Sequence, residues 1–287
     1  MDPRIGWLAI AAAVALVFWA CAGSAGSAVP QQAPEAELRR GKTFIETPVC
    51  SEADDARILA LFKGLRVADV SDGMDAAGLQ NTGLMDPDIR PLWKDAKTYA
   101  HRFTGIAVTA RYVPTQRPPA GRMKREDYDR WVGDWYGRLS SEPFVPLIRT
   151  GTALVIEDAV EADVGSIGSN NIMGWKARGC VGVVTSATAR DTDEIETERI
   201  PLYFRRPGRG IRPGRNEIES VNRPIVCGGV LVIPGDVIVA DGDGVIVVPR
   251  ARAEEVALYA RRILEEDKEG RRRLYKQLGL PEDPSIK

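Results

Sequence analysis

Residues 165–191 read GSIGSNNIMGWKARGCVGVVTSATARD. The glycines at the start of this stretch let the backbone approach a ligand, and a helix predicted from Asn170 to Arg178 would place free amide groups beside them. The apolar run from Val181 to Thr185 predicts a buried strand, which delivers Arg190 and Asp191 to the loop where the chain leaves the sheet. The stretch therefore predicts a ligand site between a strand and a helix of an α/β fold.

The neighbouring arginine and aspartate suit an anionic substrate and a hard cation. A guanidinium binds a carboxylate with two parallel hydrogen bonds, and carboxylate oxygens are preferred ligands of Mg²⁺. Taken alone, Asp191 could merely cap the next helix, and the glycine loop could be an ordinary helix start. Because the loop, the strand and the Arg190-Asp191 pair occur together, we favour a site that binds a carboxylate and a metal.

The rest of the chain predicts a strand-rich α/β domain. A capping box that begins at Ser51 predicts one helix, and Val67 to Ala77 predicts a second that Gly78 closes. Arg250 to Leu278 has the pattern of one long amphipathic helix. Short β-branched runs bounded by Gly, Pro and Asp predict strands. These runs are Phe103 to Tyr112, Thr152 to Glu157, Leu202 to Phe204, Val230 to Ile233, Val237 to Ala240 and Gly244 to Val248.

The segment from Arg111 to Arg149 has a different composition, since it is rich in proline, charge and aromatic residues. Tyr128, Trp131 and Trp135 have the spacing of one helical face. We favour a helix packed on its own domain. The alternative is a helix that covers the active site or a subunit contact.

Charge and residue usage argue against several classes of function. The 39 basic and 40 acidic residues give a net charge of −1, so we expect no nucleic-acid partner, and we expect the arginines of 205–215 and 271–273 to be solvated surface. His101 is the single histidine, and the cysteines have no zinc-ligand spacing. We therefore expect His101 to be structural, and neither zinc chemistry nor a Ser-His or Cys-His nucleophile is supported.

The N-terminus has the layout of an export signal. Arg4 precedes the apolar run from Ile5 to Ala20, and small residues follow as far as Ala28. We predict a signal peptide over 1–28, with an uncleaved membrane anchor or lipidation at Cys21 as alternatives. Every version predicts export, to a periplasmic or extracellular location, and residues 29–49 are predicted to be a linker.

Several motifs resemble the RraA-like family, which includes 4-hydroxy-4-methyl-2-oxoglutarate aldolases and protein regulators of ribonuclease E. The resemblance covers about Leu65 to Leu264, and its most specific part is the spacing of loop, strand and Arg-Asp pair. The motifs are Val70-Ser-Asp-Gly-Met-Asp75, Gly168-Ser-Asn-Asn171, Ala177-Arg-Gly-Cys-Val-Gly-Val-Val184, Arg190-Asp191, Cys227-Gly-Gly-Val-Leu-Val-Ile-Pro-Gly-Asp236 and Asp241-Gly-Asp-Gly-Val-Ile-Val-Val-Pro249.

The resemblance implies a fold, a domain and a reaction. The fold is an RraA-like swivelling α/β/β sandwich with a long C-terminal helix, in one domain over 50–287 with an insertion at about 111–149. The reaction is that of a class II pyruvate aldolase, which cleaves a 4-hydroxy-2-oxo acid to pyruvate, and oxaloacetate decarboxylation is a further implied activity. The alternative is a non-catalytic, protein-binding regulator.

The resemblance also implies the roles of individual residues. Arg190 and Asp191 are the implied catalytic residues, and Asp191 would hold Mg²⁺ or Mn²⁺. The residues that would bind the small 2-oxo acid substrate are Gly168, Ser169, Asn170, Asn171 and Arg190. The chain departs from the family at Ser169, where an acidic residue is common, and at Ser186-Ala187, which replace a frequent Asp-Gly. Family members form trimers or hexamers with the site at a subunit boundary, so we expect a homotrimer or hexamer.

A Schiff-base aldolase that uses Lys176 is a further alternative, although this lysine lies within the helix that follows the glycine loop.

Overall fold

A computed structural model describes residues 47–158 and 163–286. The predicted signal or anchor segment, 1–28, and the predicted linker as far as residue 46 lie outside the described residues. Among the residues described, none of the helices combines the length and the apolar character needed to span a membrane.

Helices lie at both ends of the described part of the chain and between its strands. Their bounds are α1 (Glu52–Phe62), α2 (Val67–Ala76), α3 (Arg125–Asp134), α4 (Ser169–Ala177), α5 (Thr192–Thr197) and α6 (Ala253–Leu278). A π-helical turn, Trp135–Leu139, continues α3, and short 3₁₀ turns occupy Val145–Leu147 and Arg250–Arg252.

The strands form one large mixed sheet and two small ribbons. They are β1 (Arg90–Pro91), β2 (Phe103–Pro114), β3 (Thr152–Glu157), β4 (Cys180–Thr185), β5 (Thr188–Ala189), β6 (Leu202–Phe204), β7 (Arg206–Pro207), β8 (Asn216–Val221), β9 (Ile225–Cys227), β10 (Val230–Val232), β11 (Val237–Asp241) and β12 (Gly244–Val248). The large sheet has the order β1-β6-β4-β3-β2-β11-β12, and β8 pairs with β2 as well.

Strand β2 is long enough to pair with three other strands. Its first residues pair with β11, its last with β8, both antiparallel, and its length from Ile106 to Arg111 pairs with β3 in parallel. Strands β3 and β4, and then β4 and β6, are also parallel. Parallel strands end at a common edge, and loops at that edge commonly bind ligands.

Helices α1, α2 and α6 pack their apolar faces against β11 and β12 of the sheet. Helix α1 begins at Ser51, whose side chain accepts a hydrogen bond from the Asp54 amide at 3.1 Å. Helix α6 packs closely on α2 at Gly73, where a Cβ would lie 2.8 Å from the Val256 carbonyl oxygen. Gly78 closes α2 with a left-handed φ of 77°. A strand-rich domain with a long C-terminal helix results, which confirms the predicted α/β fold class.

The predicted helices and strands are confirmed with shifts of a few residues at their ends. The C-terminal helix differs at its start, since Arg250–Arg252 form a 3₁₀ turn before α6. Strands β8 and β9 were not predicted. The burial pattern of β8 is irregular, and β9 has only three residues, so neither leaves a periodic signal.

The single histidine, His101, is buried with 4% exposure, and its Nδ1 accepts a hydrogen bond from the Asp95 amide at 3.0 Å. Its ring lies edge-on to Trp93, with 6.1 Å between the centroids. Burial, aided by the Arg102 charge, holds the pKa of His101 below its usual value. These contacts give His101 a place in the packing of the domain, in agreement with the structural role that we expect.

Gly182→Ala tests the packing of the sheet on its aromatic residues. A Cβ at Gly182 would lie 2.3 Å from Phe103 Cδ1, so the ring must move. We expect the free energy of unfolding, measured with urea, to fall by about 1–3 kcal/mol. Gly174→Ala is the matched control, because nothing lies within 4 Å of its Cβ position in α4, and we expect no loss of stability there. Equal effects of the two substitutions would contradict this packing.

His101→Asn tests the titration of the buried imidazole. The lowered pKa means that the unfolded chain takes up a proton before the folded chain does, so stability is lost as the pH falls below about 6.5. In the wild type, we expect His101 to lower the free energy of unfolding by up to about 1.4 kcal/mol for each pH unit below this value. We expect His101→Asn to remove this contribution and to keep the fold, since an asparagine oxygen can still accept the Asp95 amide. Urea unfolding between pH 7 and 5 measures it. Identical slopes in the two proteins would refute the assignment.

Candidate functional site

The predicted glycine loop and the Arg-Asp pair are in direct contact. The chain leaves β4, pairs briefly through β5, and reaches Arg190, whose amide donates to the Ile167 carbonyl oxygen at 2.8 Å. Ile167 in turn pairs with Ala189 in a parallel bridge. These contacts place the loop before α4 against the residues that follow β5.

Asp191 has an unusual backbone conformation. Its φ of 55° and ψ of 40° are left-handed, a region that few residues other than glycine, asparagine and aspartate adopt. Its Oδ2 accepts a hydrogen bond from the Ser169 amide at 3.1 Å, at the first residue of α4. The amide groups of a helix start carry partial positive charge, so Ser169 is a suitable donor to a carboxylate. Its side chain keeps 37% exposure, so it remains open to a ligand.

Two glycines of the loop make room for these side chains. A Cβ at Gly165 would lie 2.5 Å from Arg190 Cβ, too close for any side chain. A Cβ at Gly168 would lie 2.7 Å from Asp191 Oδ2, 3.5 Å from Asn171 Oδ1 and 3.7 Å from Arg190 Nε. Three polar atoms from three different residues thus surround one point above Gly168.

Arg190 is open to solvent on the same side. Its Nε lies 3.7 Å from Asp191 Oδ1, and its side chain is 37% exposed. An exposed guanidinium at this distance from a carboxylate has donors left for an anionic ligand. Of the remaining predicted residues, Ser169 contributes its amide, and Asn170 is exposed in the first turn of α4.

The donor set fits a hydrated hard cation rather than a closed metal cage. Asp191 Oδ2 accepts one amide, which leaves carboxylate lone pairs for a cation. In residues 47–158 and 163–286, no group of three or more His, Cys, Asp or Glu is placed to hold a metal ion. Mg²⁺ commonly binds through one or two carboxylates and keeps several waters, so Asp191 suits it.

Glu142, which sequence analysis missed, lies beside the site. Its Oε1 accepts a hydrogen bond from Asn171 Nδ2 at 2.6 Å, and its Oε2 accepts one from Trp175 Nε1 at 3.0 Å. Both donors belong to α4. Glu142 comes from the segment 111–149, and no motif or spacing in the sequence connects it with the glycine loop.

Arg212 forms a buried ion pair with Glu142. Its side chain is 5% exposed, and it also donates to the Tyr112 hydroxyl at 2.7 Å. The expectation that the arginines of 205–215 are solvated surface is therefore wrong for Arg212, although it holds for Arg209, which is 90% exposed. A guanidinium can be buried when a carboxylate and hydrogen-bond acceptors surround it, as here.

A second buried polar cluster fixes the segment 111–149 beneath the loop. Asn216 Nδ2 donates to both carboxylate oxygens of Asp158 and to Ser166 Oγ, and its Oδ1 accepts from Ser140 Oγ at 3.1 Å. Trp135 Nε1 donates to the Asn216 carbonyl oxygen at 3.0 Å. The segment thus packs on its own domain, as we favoured, and it also contacts the site.

The aromatic residues of α3 and of the π-helical turn that continues it follow one another along one face, as predicted. The ring centroids of Tyr128 and Trp131 are 6.0 Å apart, and those of Trp131 and Trp135 are 5.4 Å apart. Trp135 is buried with 4% exposure and anchors this face to the domain.

Lys176 lies at the far end of α4 from the glycine loop. It lies seven positions after Ser169, which corresponds to about 10 Å along the axis. Its Nζ contacts the Glu198 carbonyl oxygen at 3.4 Å. The lysine is thus apart from the cluster around Gly168.

The chain is similar to several curated proteins over part of its length, including the following two. DlpA of Legionella pneumophila is 27% identical over 199 residues, which cover 66% of this chain and 27% of that protein. A protein of Halalkalibacterium halodurans, provisionally named 4-hydroxy-4-methyl-2-oxoglutarate aldolase, is 33% identical over 111 residues, which cover 38% of this chain and 52% of that protein. The chain thus spans about a quarter of the length of the first relative and about half of the second.

A solved structure has a similar fold, and a family model matches the sequence. The crystal structure of Streptomyces coelicolor RraAS2, described as an unusual member of the RNase ES inhibitor RraA protein family, aligns with a TM-score of 0.59 at 22% identity, over 79% of this chain and 98% of that one. The sequence model of the RraA-like family, Aldolase/RraA, matches residues 67–247, which include the glycine loop and the Arg-Asp pair. Since this match covers more than half of the chain, the protein belongs to the RraA-like family.

Proposed function

We propose that this chain is a divalent-metal-dependent class II pyruvate aldolase. Its substrate would be a 4-hydroxy-2-oxo acid that resembles 4-hydroxy-4-methyl-2-oxoglutarate. The observation that carries the proposal is the convergence of Arg190, Asp191 and the start of α4 on one point above Gly168. The relative from Halalkalibacterium halodurans, with its provisional aldolase name, adds support.

The chain's own residues would bind the 2-oxo acid end of the substrate. The guanidinium of Arg190 would pair with the carboxylate, and the amides of Asn170 and Asn171, which have no intrahelical acceptor at the start of α4, would donate to the same end. Asp191 would hold Mg²⁺ or Mn²⁺, which supplies Lewis-acid stabilisation of negative charge on the substrate oxygens.

Retro-aldol cleavage follows from this arrangement. The 4-hydroxyl group loses its proton to solvent water, its oxygen forms a carbonyl, and the C3–C4 bond breaks. The electron pair of that bond ends as negative charge on the 2-oxo oxygen of the pyruvate fragment, and C3 then takes up a proton from solvent. Arg190, held beside that oxygen, would stabilise the charge as it develops. Loss of CO₂ from oxaloacetate places charge on the same oxygen, so the same residues suit that reaction too.

A site assigned to Asp191 predicts a charge-specific loss of activity. We expect Mg²⁺-dependent pyruvate release from a panel of 2-oxo acids to fall at least about 100-fold in Asp191→Asn. Asparagine tolerates the left-handed backbone and can accept the Ser169 amide, so the lost charge is the main change. A coupled pyruvate assay with added Mg²⁺ or chelator measures it.

Lys176→Met is the matched control for this assay, and we expect it to keep wild-type activity. We also expect that borohydride traps no pyruvate on the wild-type protein. Full activity in Asp191→Asn, or activity in the presence of chelator, would contradict the metal-dependent mechanism. A wild-type protein that released no pyruvate from any acid in the panel would point instead to a non-catalytic binding role.

We further propose that the protein is exported and that it assembles as a homotrimer or hexamer. The apolar run from Ile5 to Ala20 supports export, and the family resemblance supports the assembly. N-terminal sequencing of the protein recovered outside the host cytoplasm tests the first point. Light scattering on the purified protein tests the second, and a monomer would contradict it.

A further inference from the structure

The side-chain amide of Asn171 is fixed in one orientation. Glu142 has only acceptor oxygens when ionised, so the group that faces its Oε1 at 2.6 Å must be the Asn171 NH₂. The amide oxygen, Oδ1, therefore points the other way. It lies 3.5 Å from the Cβ position of Gly168, and Asp191 Oδ2 lies 2.7 Å from the same point.

Glu142 is itself held by donors on three sides. Asn171 and Trp175 donate from α4, and the buried guanidinium of Arg212 donates from the segment before β8. Arg212 is anchored in turn by the Tyr112 hydroxyl at 2.7 Å. The carboxylate thus has little freedom to rotate, and it can impose its orientation on the Asn171 amide.

We infer that Glu142 is a positioning residue, which turns Asn171 so that Oδ1 offers a second oxygen, beside Asp191, to the cation of the proposed reaction. Amide oxygens suit hard cations, either directly or through a water ligand. The inference rests on the proposed function for the presence of that cation. Through Glu142, the segment 111–149 would help to position a ligand of the cation.

Glu142→Leu tests this orientation, because leucine offers no acceptor to any of the three donors that face residue 142. The Asn171 NH₂ group then has no fixed partner there, and the amide is free to rotate. That rotation would turn the amide oxygen away from Asp191.

The experiment is a calorimetric titration of the full chain with Mn²⁺, which reports cation affinity without any substrate. We expect the dissociation constant to rise about tenfold in Glu142→Leu and in Asn171→Leu, which removes Oδ1 itself. Trp175→Phe is the matched control, because it removes a different donor to Glu142 and leaves the Asn171 contact in place. We expect its dissociation constant to stay within about twofold of wild type.

Circular dichroism and thermal unfolding establish that each variant is folded. If the uncompensated charge of Arg212 prevents Glu142→Leu from folding, Asn171→Leu carries the test, since Asn171 is partly exposed in the first turn of α4. Wild-type affinity in Asn171→Leu, or in a folded Glu142→Leu, overturns the inference. So does a wild-type protein that binds no Mn²⁺.

Failure of the proposed function gives a different pattern. Mn²⁺ binding that weakens in Glu142→Leu and Asn171→Leu, in a protein that releases no pyruvate, would refute the aldolase activity and support the inference. Conversely, Mn²⁺-dependent pyruvate release with equal Mn²⁺ affinity in wild type, Glu142→Leu and Asn171→Leu would support the aldolase and overturn the role of Glu142.

Discussion

The hydrogen bond from the Ser169 amide to the Asp191 carboxylate joins the two halves of the site. A hydrogen bond to a charged group contributes about 1.5–3 kcal/mol, and the left-handed backbone of Asp191 costs about 1–2 kcal/mol. The bond therefore offsets the strain that the Arg-Asp turn requires. It also explains why Gly168 carries no side chain, since a Cβ would lie 2.7 Å from the accepting oxygen.

The segment 111–149 is joined to the site by charge as well as by apolar packing. A buried ion pair such as Arg212 with Glu142 adds little net stability, because the loss of hydration nearly cancels the attraction between the charges. Removing one partner costs more, about 3–5 kcal/mol, since the other charge is left buried. We interpret the pair as a device that specifies where the segment lies against α4, rather than as a source of stability.

The parts of the candidate site that were predicted from the sequence are close together along the chain. Gly168, Arg190 and Asp191 were predicted because a glycine loop, a helix, a strand and a polar pair follow one another in one short stretch. Glu142 and Arg212 were missed because their contact joins positions 70 residues apart, and neither has a pattern of its own. Arg212 lies in a run of arginines that looks uniformly exposed, and only its partners distinguish it from Arg209.

The proposed mechanism requires Asp191, beside Gly168 and Arg190, to bind a divalent cation together with a 2-oxo acid. A crystal structure of the full chain with Mn²⁺ and pyruvate, with the anomalous signal of Mn²⁺ recorded, tests this most directly. We predict an anomalous peak about 2 Å from the Asp191 carboxylate, with the pyruvate carboxylate next to the Arg190 guanidinium. An anomalous peak elsewhere, or an occupied pyruvate site away from Gly168, would contradict the account.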